Sequence, residues 1–155
     1  MISYKIFILF LMLLMHYIED FHLQGCLTNL KQKKWWENEL KQNNSEEDET
    51  KSSLDSSIYK NDYRMALFAH SVENAIFVML PMIVDLLISE FTNHIHNSWI
   101  LFSLSTILIS LSHYIIDDDK ANKMKINLIQ DQLYHLAYIV FIFISYFPII
   151  GAWIV

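Results

Sequence analysis

Four long apolar runs dominate the chain: 2–18, 65–88, 99–116 and 133–155. They are 17 to 24 residues long, close to the ~20 that the hydrocarbon core of a bilayer requires of a helix. None shows the strict alternation of a strand, and all are too long for one. A soluble bundle needs a polar outer face on each helix, and the third and fourth runs have none. The pattern predicts an all-α, integral-membrane four-helix bundle. It forms one domain over 1–155, with a polar cytoplasmic loop between helices 1 and 2.

The stretches between the runs are unlike one another. Residues 27–42 are polar and basic, with Lys31, Lys33 and Lys34 beside Trp35 and Trp36, a pairing suited to headgroup depth. Residues 43–57 hold almost no apolar side chain and read as a disordered, solvated insertion. A short connection over 89–98 carries Glu90, His94 and His96; His94 and His96 are expected at the surface together with His22. The fourth run is expected to break late, at Pro148 and Gly151. The first run could be a signal peptide, but no small-residue cleavage site follows it. Leu23-Gln-Gly-Cys26 faintly resembles a lipoprotein cleavage box, yet Glu19, Asp20 and His22 separate it from the apolar run. The segment is therefore read as a transmembrane helix.

Charge adds an orientation. Seven Lys and Arg lie in 19–65 and three in 117–132, against none in 89–98. By the positive-inside rule both long polar stretches are cytoplasmic and both termini lie outside. Composition mainly excludes. With two glycines and two prolines, there is no glycine-rich phosphate loop. A net charge of -6 argues against a nucleic-acid footprint. The single cysteine, Cys26, cannot form an internal disulfide. A mean hydropathy of +0.26 fits the membrane reading.

The chemistry lies where runs meet polar stretches. His16, Asp20 and Gln24 follow at four-residue spacing, which puts them on one helix face. The spacing recurs at His113 and Asp117, and in reverse at Asp131 and His135, while His70 opens the second run. In an antiparallel bundle these groups meet at one depth near the cytoplasmic edge. Ionisable residues in a span cost several kcal/mol (~3 each) unless they face a partner or water. Imidazole and carboxylate are ligands of Zn, Mn and Fe. His16, Asp20, His70, His113, Asp117, Asp131 and His135 are thus candidate metal ligands. Gln24, Glu73, Asn74, Lys120 and Gln132 are candidate supporting groups. The plain alternative is a set of helix-end ion pairs and interfacial histidines, with Asp131 as the N-terminal cap of helix 4.

The same residues, in order, resemble domain of unknown function family 3307, small bacterial and phage integral-membrane proteins. The resemblance rests on His16-x3-Asp20-x3-Gln24, a downstream lysine (Lys33 or Lys34), Leu67-Phe-Ala-His70, His113-x3-Asp117-x2-Lys120 and Asp131-Gln132-x2-His135. It covers nearly all of the chain outside 37–60. It implies a multi-span protein of the bacterial inner membrane, or of a phage-infected host, and brings no established activity. More weakly, the His/Asp pattern is similar to that of membrane-bound metal-dependent hydrolases.

Two functions are therefore expected as alternatives. In one, a metal at the cytoplasmic leaflet serves a hydrolase, with Asp20 or Asp131 as general base. Its substrate would be a lipid, an amphiphile or a membrane-tethered peptide. In the other, the protein is non-catalytic, a partner-binding module or an ion or proton relay, and the His/Asp set is structural.

Overall fold

The computed structural model describes residues 2–44, 59–93 and 98–151. The chain is all-helical there. Helix α1 (Ile2–Ile18) runs into a π turn (Glu19–Leu23), followed by α2 (Leu27–Leu30) and α3 (Lys33–Asn44). A 3₁₀ turn (Tyr59–Asn61) leads into α4 (Asp62–Asn93), then α5 (Ser98–Ala121) and α6 (Leu128–Gly151). Four segments, Tyr4–Leu23, Asp62–Ile88, Trp99–Ala121 and Leu128–Tyr146, are long and apolar enough to cross a membrane.

The four long helices pack side by side, α4 on α1 and α5, and α6 on α5 and α1. Their shared core is apolar: Ile8 and Met12 of α1, Val78, Met79 and Met82 of α4, Ile109 of α5, and Ile139 and Ile142 of α6. The outward faces are apolar too. Phe7, Phe10, Ile76, Leu87, Leu104, Ile107, Leu133 and Phe141 are all exposed. Hydroxyls in these helices do not need water: Ser71, Ser103, Thr106 and Ser145 each donate to the carbonyl one turn back.

Helix boundaries depart from the apolar runs in an instructive way. Helix α5 continues through Asp117–Lys120, and α6 starts at Leu128, so Asp117 and His135 stand within helices and not at their tips. Asp131 is not the cap of α6. Asn127 is, because its side chain accepts from the Gln130 backbone while Gln130 Oε1 accepts from the Asn127 backbone. Nor does Pro148 break α6, which continues to Gly151. Pro81 likewise sits inside α4. A proline removes one backbone donor; at Pro81 the helix is held on both sides by the buried Val78, Met79, Met82 and Leu86, which can absorb that loss. The insertion expected at 43–57 lies, from residue 45 on, outside the described residues, and 43–44 close α3. His94 and His96 also lie outside them.

Candidate metal centre

The C-terminal ends of α1 and α5 and the N-terminal halves of α4 and α6 meet at one end of the molecule. Each delivers a histidine. His16, His70, His113 and His135 are all at most 1 % exposed. Their rings touch: centroids are 4.3 Å apart for His113–His135, 4.8 Å for His70–His113 and 5.0 Å for His16–His135. The predicted convergence is thus found, and Asp20, Asp117 and Asp131 lie within it.

Asp117 is the hub. Its Oδ2 lies 3.3 Å from His70 Nε2 and 3.6 Å from His113 Nε2, and its Oδ1 lies 3.2 Å from His135 Nε2. The two nitrogens His70 Nε2 and His113 Nε2 are 3.0 Å apart. These three atoms form a triangle with edges of 3.0, 3.3 and 3.6 Å. Ligands at the usual zinc distances, arranged tetrahedrally, would be about 3.3 Å apart. Asp20 Oδ1, 3.7 Å from His70 Nε2, stands at the remaining side. Two sets of ligand atoms each lie within 4.8 Å of one another: Glu19, Asp20, His70 and His113, and His113, Asp117 and His135. His16 and Asp131 converge with them but fall outside both sets.

Glu19 is the ligand candidate that four-residue spacing on a regular α-helix misses. At the π turn, i→i+5 bonding adds a residue to the turn, so two consecutive acids, Glu19 and Asp20, both reach the interior. Glu19 is fully buried, with Oε1 3.1 Å from His70 Nδ1 but out of hydrogen-bond alignment. A fully ionisable residue closing an apolar run was the available signal.

Of the supporting candidates, Gln24, Asn74, Lys120 and Gln132 bond to carboxylates of the cluster. The Asn74 amide nitrogen donates to Glu19 and, over 3.1 Å, to His16 Nδ1. Glu19 as a carboxylate only accepts, which fixes the amide orientation and leaves the neutral His16 ring protonated at Nε2. Gln24 donates to the Asp20 backbone carbonyl and to its carboxylate. Gln132 donates to Asp20 Oδ2 at 2.7 Å and to Asp131 at 3.1 Å. Lys120 pairs with the buried Asp131 at 2.6 Å. Glu73, in contrast, makes no hydrogen bond or ion pair with the cluster among the described residues.

A second cation enters from outside the four helices. Lys31, 8 % exposed, places Nζ 2.6 Å from Asp117 Oδ2. It is brought there by Gly25, whose φ of +52° reverses the chain after the π turn, and by Asn122. That side chain accepts from the Lys33 backbone and donates to the Lys31 carbonyl. The buried lysine of the site is therefore Lys31, not Lys33 or Lys34. Lys33 is exposed and lies 3.6 Å from Glu37, one turn along α3. Beyond the helices, the Lys123 ammonium is held above the ordinary lysine range by hydrogen bonds to Asp118 and Asp119.

Several buried polar atoms in the cluster have no hydrogen-bond partner: His16 Nε2, Glu19 Oε1, His70 Nδ1, Asp131 Oδ1 and His135 Nδ1. Such atoms are uncommon in folded proteins and call for an explanation such as a bound ion or water. A cavity of about 400 Å³ opens onto the cluster. Asp20 and Asp117 line it, with Lys31 and Lys120. In comparisons with known proteins, no family model, curated protein or solved structure matches this chain.

Proposed function

We propose that the chain is an integral membrane protein carrying a divalent-metal site at one end of its four spans, and that the site serves a hydrolase. The observation that carries this reading is the His70, His113 and Asp117 triangle, with its edges of zinc-site size. Charge supports it. Glu19, Asp20, Asp117 and Asp131 face two lysines, Lys31 and Lys120. With neutral imidazoles that leaves two negative charges in a buried cluster, which one divalent cation or two histidine protons would balance.

The ligand softness fits Zn, Mn or Fe. A divalent ion held here supplies a Lewis acid able to bring the pKa of water down to ~7. Of the two general-base candidates, Asp20 is the better placed, since it lines the cavity. Asp131 is fully buried beneath Lys120 and does not line it. Gln24 and Gln132 hold the Asp20 carboxylate from both oxygens. The His/Asp order is our ground for grouping the chain with domain of unknown function family 3307, in a bacterial inner membrane or that of a phage-infected host.

The decisive measurement is metal content of protein purified in detergent. Near-stoichiometric Zn, Mn or Fe is expected, with His113→Ala lowering metal affinity at least ~10-fold while helicity is kept. Metal-free protein, or a His113→Ala protein with undiminished metal, would leave a purely structural His/Asp network as the reading. Orientation has its own test. In a Cys26→Ser background, a cysteine at Ser53 should label from the cytoplasmic side and one at Asn97 from the opposite side. Labelling of both from one side would reject the assigned topology.

A further inference from the structure

The cavity at the mouth of the cluster has a chemistry of its own. Its lining includes Asp20 and Asp117, both within the candidate ligand sets, so a group seated there would lie beside the carboxylates proposed to hold the cation. Two ammonium groups approach from different elements: Lys31 follows α2, and Lys120 lies on the last turns of α5. Each makes one short ion pair, at 2.6 Å. An ammonium has three donors, so each lysine retains donors to offer. A single divalent ion would bring the cluster to neutrality, after which the carboxylates no longer repel an anion.

The rim is apolar. Phe21 and Met124 line the cavity and are 47 % and 74 % exposed. From Phe21, whose ring lies 5.0 Å from that of Tyr17, the exposed face of α1 continues as Tyr17 and Leu14. A cavity of this volume, with Asp20, Lys31, Asp117 and Lys120 in its lining, is too large for a lone carboxylate and suits a headgroup. Two lysines and a cation converging on it suit a tetrahedral dianion. The apolar rim and the outer face of α1 suit a hydrocarbon tail.

We propose that the ligand of this site is a phosphate-bearing amphiphile, headgroup in the cavity and tail along the outer face of α1. This deepens the metal reading and rests on it. The test uses zinc-loaded full-length protein in maltoside micelles. Three probes are titrated calorimetrically: dodecyl phosphate, inorganic phosphate and dodecyltrimethylammonium. Dodecyl phosphate should bind at least ~10-fold more tightly than either of the others. Lys120→Gln, which keeps the stem and a polar cover over Asp131, should weaken it ~10-fold, and Lys120→Arg should restore it to within ~3-fold. Lys123→Ala, in the adjoining turn, should change nothing. Equal affinity for inorganic phosphate would overturn the amphiphile. Zinc-loaded protein that ignores both phosphates, or binds equally well after Lys120→Gln, would overturn the proposal while leaving the metal site standing. A chain that takes up no zinc would instead sink the reading beneath it.

Discussion

The two ends of the four-helix packing are built on opposite terms. At one end the interior is filled by four imidazoles, four carboxylates and two lysines, while the outer faces stay apolar. In the other half the interior is Ile8, Met12, Val78, Met79, Met82 and Ile142, close-packed and free of charge. Large apolar side chains are exposed along both halves of the long helices. Apolar packing alone suffices to join these helices, as the second half demonstrates. The polar end therefore carries a burden that packing does not require. A mutation should act differently at each end: by unmet charge at the polar end, and by lost volume at the apolar one.

Lys31→Met should give the larger effect. It leaves Asp117 Oδ2 without its 2.6 Å cation in a cluster already rich in carboxylates. Removing one partner of a buried pair costs about 3–5 kcal/mol. The expected loss in metal-free protein lies in that range, and added zinc should recover more than half of it, because a divalent cation meets the same demand. Met79→Ala at the apolar end should cost about 2 kcal/mol, the low end for large-to-small core changes. In the proposed membrane setting lipid is as apolar as the core, so the cavity term dominates there. Zinc should recover none of the loss. Thermal unfolding of both variants with and without zinc separates the two mechanisms. A zinc-independent Lys31→Met loss would mean that the polar end is merely a salt-bridge network.

Much of this contrast was legible beforehand. The apolar runs gave the four long helices, since length and composition alone set that pattern. Four-residue spacing brought His16, Asp20, His113, Asp117, Asp131 and His135 to one cluster, because helical geometry carries side-chain direction. What escaped the reading had local causes. Glu19 turned inward through a π turn, which no period of 3.6 residues announces. Lys31 was seated by a glycine at positive φ and by the Asn122 clamp, contacts between segments about 90 residues apart. Asn127 took the cap assigned to Asp131 because the reciprocal partner, Gln130, lay three residues on. Glu73 shares a helix with His70 and Asn74, but its position is about 100° round from Asn74, and it makes no bond to the cluster.

The smallest effect should come from a side-chain hydrogen bond that joins two helices in the largely apolar half. Tyr4 donates to Asp85 Oδ1 at 2.9 Å, tying α1 to α4. Charge alone would suggest a second copy of the first site, since Asp85 too is ionisable and lies within a candidate span. The neighbourhood says otherwise. Tyr4 is 47 % exposed and Asp85 half-buried. Neither is held by a histidine or a lysine in the described bonds. Polar pairs between membrane helices contribute about 0.6 kcal/mol on average. Tyr4→Phe should therefore lower stability by about 1 kcal/mol or less, with zinc content unchanged and the zinc-dependent gain in melting temperature preserved. A loss of bound metal on Tyr4→Phe, some twelve residues and about 18 Å of helix from His16, would show that the two ends are coupled. The division of the molecule into a packing half and a chemical half would then have to be abandoned.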